Sequence, residues 1–445
     1  MGENTGLEQD NKEIQEKREE RRKRRKRSQA AAYLTLTCFV VLFAGLIVMT
    51  VTMIGKQVKE KDNASASLSD NIGNLMETEE TLVKPEPSDM VLEQTPEEKL
   101  DAIINSAIEV MPIEDKVAGL FIVTPESITG VGTAVQAGDG TKEALNNWAV
   151  GGLIYFNKNI TSEEQITEMI SNTSLYSRYP LFIGVDEEGG KVSRVAEAGL
   201  GTNVGSAQTI GATADPTQAY AAGQTIGGYL SPLGFNLDFA PVADIHNTEE
   251  SIIGDRAYGT DSTVVASMTA SMVQGLQENG VSACLKHFPG IGSSTEDTHS
   301  GLAVTERTAE QFRAEEFTVF RAGIDAGADF VMVSHMAAPA FTGDNTPCTL
   351  SKAVVTDILR EELGFNGVII TDAMNMGAIT EYYEADDAAI QALKAGCDMI
   401  LMPDDFEKAY NGVLEAVQNG VISEERINDS LRRIYRIKYA DRLTD

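Results

Sequence analysis

Eight short, nearly uninterrupted apolar runs recur along the chain from residue 117 onward. Each ends in polar or glycine-rich residues, and a longer helix-patterned stretch follows each one. They are VAGLFIVTP (117–125), VGGLIYFNK (150–158), PLFIGVDEEGG (180–190), FNLDFAPVADI (235–245), VSACLKHFPG (281–290), ADFVMVSHM (328–336), NGVIITDAM (366–374) and CDMILMPDD (397–405). A strand with one wet face alternates apolar and polar residues. A run without alternation is buried on both faces, as in a parallel sheet covered by helices. Eight such strands alternating with helices over about 340 residues predict an α/β fold, a single (β/α)8 TIM-type barrel. A doubly wound open sheet uses the same units. It is disfavoured because no G-x-G-x-x-G opens a helix after the first strand.

The barrel is predicted to be preceded by one N-terminal transmembrane helix and a tether. Residues 31–55, AAYLTLTCFVVLFAGLIVMTVTMIG, are 25 residues without a charge. At about 1.5 Å per residue they span a hydrocarbon core of roughly 30 Å. The basic KREERRKRRKR (17–27) before them predicts a cytoplasmic tail (1–30), so that the rest of the chain lies outside the cell. A cleaved signal peptide is the rival reading; its apolar region is usually shorter. Residues 56–96 are polar and acidic and read as a disordered linker. The catalytic domain is assigned to 97–445, opening on TPEEKLDAIINSAIEVM (95–111), a helix with threonine as N-cap.

Charge and cysteine usage exclude several functions. The net charge is −31, while residues 1–29 carry ten Lys/Arg against seven Asp/Glu, so the remainder is more acidic still. A nucleic-acid partner would need a basic stripe. The four cysteines, at 38, 284, 348 and 397, have no C-x-x-C spacing. They read as small buried hydrophobes, so neither a disulfide framework nor a metal site is expected, and no cofactor.

In a barrel, reactive residues come from the C-terminal ends of strands and the loops beyond them. Here those ends carry Asp186, Glu187, Glu188, Gly189 and Gly190, with Arg194 beyond; Lys286 and His287; Ser334 and His335; and Thr371 and Asp372. Arg256 lies in IIGDRAYG after the fourth strand, and all four histidines (246, 287, 299, 335) follow strand ends. KHFPGIGSSTEDTHSG (286–301) places His299 two residues after Asp297. A carboxylate there can fix the tautomer of an imidazole and stabilise its cation. Plainer readings stand beside these. Asp372 can cap the next helix, Asp186 can simply pair with Arg194, and His335 can be a hydrogen-bonded core residue. One of Glu187 and Glu188 can be merely solvated, and Gly189-Gly190 can be only a tight turn. His246 reads as structural or solvent-facing. Lys286 can be a Schiff-base lysine.

DEEGGKVSR, IIGDRAYG, KHFPGIG, DTH and IITDAMNMGAI occur in the order seen in family 3 glycoside hydrolases. Over about residues 100–440 the chain resembles that family, most closely its bacterial β-N-acetylglucosaminidase branch. The resemblance implies that Asp372 is the nucleophile and that His299 is the general acid/base with Asp297 as its partner. It implies that Asp186, Arg194, Arg256, Lys286 and His287 grip the sugar. Ile291 stands where the family's loop often has a second histidine, which bears on loop contacts and leaving-group preference rather than on mechanism. Many members carry a second α/β domain, from which glucosidase-type members take an acid/base glutamate. After the eighth strand this chain reads only as helix, ending in SEERINDSLRRIYRIKYA (423–440). The expectation is a membrane-anchored, metal-independent exo-β-N-acetylglucosaminidase acting on a carbohydrate at the cell wall, such as peptidoglycan fragments. The alternatives are a β-glucosidase or phosphorylase of the same family, a non-catalytic glycan-binding barrel, and a Schiff-base aldolase.

Overall fold

A computed structural model describes residues 95–248, 250–294 and 301–440. The expected tail, the apolar segment 31–55 and nearly all of the linker lie outside the described residues. Among the described residues no helix is long and apolar enough to cross a membrane.

The chain enters through helix α1 (Pro96–Glu109). Thr95 accepts a hydrogen bond from the Glu98 N–H, and the Glu98 carboxylate accepts one from the Thr95 N–H. This reciprocal cap satisfies donors that a helix start leaves open.

All eight predicted strands form. They are β1 (Phe121–Val123), β2 (Gly152–Ile154), β3 (Phe182–Val185), β4 (Leu237–Asp238), β5 (Ser282–Phe288), β6 (Phe330–Val333), β7 (Val368–Thr371) and β8 (Ile400–Leu401). Every residue in them is buried, as expected for runs without polar alternation. Each strand pairs in parallel with the next, and β8 pairs with β1. A parallel bridge between Ile370 and Met399 joins β7 to β8, with the Thr371 N–H donating to the Met399 carbonyl. The sheet is thus nearly closed into a barrel, and the doubly wound alternative falls.

Helices between the strands cover the outside, among them α2 (Pro216–Leu233) and α3 (Ser262–Gln277), capped by the Asp215 and Asp261 side chains. Helix α4 (Glu316–Asp325) precedes β6, and the C-terminal helix predicted from 423–440 is α5 (Glu424–Lys438). It holds the end of the barrel where the strands begin. Asp398, at the entry to β8, is fully buried and receives Arg360 at 2.6 Å, Ser430 at 2.7 Å and Arg433 at 3.2 Å. Lys438 donates to the Gly151 carbonyl at 2.8 Å and lies 4.7 Å above the Phe182 ring. Two hydrogen bonds of 2.6 Å from Arg436 to Asp101 tie α5 to α1. With that end closed by packing, the C-terminal rim carries the polar groups.

Candidate active site

At that rim a cavity of about 620 Å³ opens, within the range usual for small-molecule sites. Asp186, Arg194, Arg256, Lys286, His287 and Asp372 all line it. Asp297 and His299 lie outside the described residues, but both flanks of their segment reach the same rim. The Ile252 N–H donates to the Ser294 carbonyl at 3.1 Å and the Ala337 N–H to the Ala303 carbonyl at 2.8 Å. Ile291 and Ile252 supply apolar wall.

Beyond β3 the chain continues as a hairpin, Glu187–Gly189 against Val192–Ser193, with Gly189 at φ +92° and Gly190 at φ +59°. Those left-handed values, rarely open to other residues, turn the hairpin. Alternation along the extended chain sends Asp186 and Glu188 into the cavity and Glu187 the other way. Glu187 is fully buried and accepts from the N–H groups of Val195 (2.7 Å) and Ala196 (3.0 Å) and from the Tyr229 hydroxyl (2.7 Å). It caps the short helix Arg194–Glu197. Neither glutamate is merely solvated, contrary to the simpler expectation.

Glu188 is the centre of a charge-balanced quartet. Arg256 grips it with Nε at 2.8 Å and Nη2 at 2.7 Å, and the Lys286 ammonium lies 2.7 Å from Glu188 and 2.7 Å from Asp186. The carboxylate of Asp186 is therefore committed to Lys286, not to Arg194 as the plain reading had it. Arg194 keeps a buried Nε without a partner among the described residues. Burial opposes the charge on Glu188, but Lys286 and Arg256 outweigh it and hold its carboxyl at about 2. Burial likewise opposes the charge on Lys286, while Asp186 and Glu188 hold it above the ordinary lysine value. A Schiff-base lysine must be a free amine. Lys286 is a locked ammonium, so the aldolase reading fails.

Lys286 and His287 are adjacent in sequence, yet both face the cavity. The register of β5 on β6 runs Leu285 with Val331 and then Phe288 with Val333, three steps against two. This one-residue bulge breaks the alternation and points two neighbours the same way. Asp244, fully buried, fixes His287. It lies 2.8 Å from Nδ1, and its other oxygen accepts from the Ile291 N–H at 2.7 Å. Asp244 and Glu188 are the residues of this candidate site that the sequence left unassigned. Asp244 sits at the C-terminal end of the fourth run, where it was visible but unremarked.

Asp372 follows β7. Its N–H donates to the Val333 carbonyl and its Oδ1 accepts from the Ala373 N–H at 2.8 Å. Burial opposes its charge, but the His287 and His335 imidazoles, the Ala373 N–H and Lys286 together keep the carboxyl below the ordinary aspartate value. His335 is fully buried, as the core reading had it; its Nε2 donates to the Ala373 carbonyl at 3.0 Å, and Nδ1 lies 3.0 Å from the Thr349 hydroxyl. It thereby braces the backbone beside Asp372. His246 does not line the cavity; its N–H donates to the Gly259 carbonyl. Among the described residues no cluster of His, Cys, Asp and Glu is arranged to hold a metal ion.

A nearly closed parallel barrel, with an ionised carboxylate and a fixed set of polar groups around a cavity at its C-terminal rim, defines a barrel enzyme for a polar small molecule. The profile of the glycosyl hydrolase family 3 N terminal domain matches residues 112–437. The chain belongs to that family and is a glycoside hydrolase. It is 36% identical over 280 residues to a beta-hexosaminidase of Stenotrophomonas maltophilia, covering 61% of this chain and 82% of that protein. It is 36% identical over 288 residues to a beta-hexosaminidase of Idiomarina loihiensis, covering 64% and 85%. Among solved structures it is similar to a family 3 beta-N-acetylglucosaminidase from Paenibacillus sp. (TM-score 0.71, 34% identity), covering 76% of this chain and 64% of that one.

Proposed function

We propose that the chain is a retaining exo-β-N-acetylglucosaminidase that removes terminal GlcNAc from peptidoglycan fragments or related glycans. The observation that carries this reading is the convergence of Asp186, Arg194, Arg256, Lys286, His287 and ionised Asp372 on one cavity. The beta-hexosaminidase relatives support GlcNAc as the sugar.

In the proposed mechanism the Asp372 carboxylate attacks the anomeric carbon as the glycosidic bond breaks, giving a covalent glycosyl ester. His299, oriented by Asp297, gives its proton to the departing oxygen. It then takes one from the water that cleaves the ester, so that the anomeric configuration is retained. Retaining hydrolysis normally uses a second carboxyl group as the acid. Glu188 is unsuited to that role because Lys286 and Arg256 keep it ionised, and Glu187 faces away from the cavity with its oxygens occupied. The quartet around Lys286 presents fixed donors and acceptors to sugar hydroxyls without reorganising as charge develops. We further propose that residues 31–55 anchor the enzyme in the cell membrane with its catalytic domain outside.

The test is hydrolysis of aryl β-GlcNAc against aryl β-glucoside, with and without phosphate, following the first-formed anomer by NMR. Preference for GlcNAc in phosphate-free buffer with the β-anomer formed first is expected. An inverted first product, or preference for glucoside, overturns the assignment.

A further inference from the structure

Two ion pairs of opposite polarity tie the hairpin after β3 to the loop after β4, one deep and one shallow. In the deep pair the hairpin supplies the carboxylate, Glu188, and the loop supplies Arg256. In the shallow pair the polarity is reversed: Lys191 Nζ on the hairpin lies 2.9 Å from Oδ1 of Asp255, the residue before Arg256. The Glu188 side chain is 5% exposed, whereas those of Lys191 and Asp255 are 57% and 44% exposed. Lys191 lines the cavity and Asp255 does not. Among the described residues, Lys191 is the one charged residue of the cavity lining that is exposed, so it marks the mouth. The turn that carries it is held in place. The Asn203 side chain accepts from the Gly190 N–H at 2.9 Å and donates to the Gly190 carbonyl at 2.6 Å. Across the mouth, a Cβ on Gly254, which has φ +55°, would stand 4.0 Å from Lys191 Nζ.

An ion pair this exposed contributes little to stability, because water screens both charges. What it does is aim the ammonium. Lysine has three donors, and Asp255 takes one of them, which leaves two for a ligand. The other cations of the cavity are engaged. Lys286 and Arg256 hold Asp186 and Glu188, and Arg194 is among the groups assigned to the sugar. The sugar proposed for this pocket, GlcNAc, is uncharged and calls for no cation at the mouth. In an exo-acting pocket the terminal sugar fills the floor, and the rest of the glycan leaves through the mouth, past Lys191.

We propose that Lys191 is a specificity-determining residue that binds a carboxylate on the sugar next to the scissile bond. The preferred leaving portion is then an acidic sugar, such as one bearing a lactyl ether, and not a neutral one. The inference rests on the β-N-acetylglucosaminidase reading. Asp255 holds the ammonium over the mouth, and the ligand carboxylate takes up the donors that Asp255 leaves free.

The experiment measures GlcNAc release by the full chain from GlcNAc-β-1,4-MurNAc and from the same disaccharide with its lactyl carboxylate converted to the amide. The two substrates share the leaving oxygen and differ in one charge. A charged hydrogen bond at a half-exposed site is worth roughly tenfold, so kcat/KM should favour the acid about 5- to 20-fold. Lys191→Gln should bring the two substrates within about twofold of each other, by losing on the acid and not on the amide. Lys191→Arg should keep most of the preference, and high salt should shrink it in the wild type. Equal rates on acid and amide in the wild type, or a preference that survives in Lys191→Gln, overturn the proposal, while GlcNAc release itself leaves the glycosidase reading standing. No release from either disaccharide overturns the proposal together with the reading beneath it. If inorganic phosphate speeds cleavage of aryl β-GlcNAc in the wild type but not in Lys191→Gln, the ammonium serves an attacking anion, and the proposal is overturned in that way.

Discussion

Replacing Glu188 by Gln tests the charge-balanced quartet most directly. The side chain keeps its shape but loses its charge, leaving Arg256 without its bidentate partner and Lys286 with Asp186 alone. The Glu188 carboxyl is held at about 2, against 4.5 for an ordinary glutamate. At about 1.4 kcal/mol per pH unit this corresponds to about 3 kcal/mol of stability at neutral pH. The side chain is only 5% exposed, so solvent screening does not reduce the figure much. Breaking one side of a buried ion pair costs about 3–5 kcal/mol, which agrees. The sign of the pH dependence follows. A depressed pKa contributes its full stability above 4.5 and loses it as pH falls through about 2, so the gap between wild type and variant should shrink to roughly half at pH 3. Urea unfolding followed by Trp148, the single tryptophan, at pH 7 and pH 3 measures both quantities. If the donors it aligns bind the sugar, as proposed, Glu188→Gln should also raise KM evenly across leaving groups. Unchanged stability together with a loss that steepens as the leaving group worsens would refute this reasoning and make Glu188 the proton donor.

Three further outcomes are expected. Asp372→Ala should abolish turnover while leaving the unfolding free energy within about 1 kcal/mol of wild type, checked by aryl β-GlcNAc assay and urea titration. Burial pushes the Glu316 carboxyl up to about 7 against the opposing pull of Arg307, so between 4.5 and about 7 the folded state holds a proton that the unfolded state releases. Stability should therefore fall as pH rises through that window, and Glu316→Gln should flatten the dependence of Tm on pH between 5 and 8. A protein lacking residues 1–60 should be soluble and fully active, with activity per mole equal to that of the detergent-solubilised full chain.

The barrel was legible because each strand is buried on both faces, which leaves a continuous apolar run that nothing else in the sequence imitates. Asp186, Arg194, Arg256, Lys286, His287 and Asp372 were legible for a related reason: they stand at or beyond the strand ends, where this architecture places its chemistry. Their pairings were not. Asp186 meets Lys286 across 100 residues, and Glu188 meets Arg256 across 68; only the parallel pairing of β3 with β4 and of β4 with β5 brings them together. Asp244 looked like part of an apolar run because its partner, the His287 ring, arrives from the next strand. Glu187 and Glu188 are identical neighbours in sequence. The pleat alone makes one a helix cap and the other the hub of the cavity.

The bulge in β5 has a consequence for how much chemistry a barrel rim can hold. A regular strand offers the inside only every second residue, so eight strands give a fixed number of seats per layer. Slipping the register by one step at Leu285–Phe288 seats an ammonium and an imidazole side by side from a single strand. The rim gains a functional group without gaining a strand or widening the barrel. Anyone transplanting this site into an idealised scaffold would have to carry over that irregular step, because a regular β5 would turn either Lys286 or His287 out of the pocket.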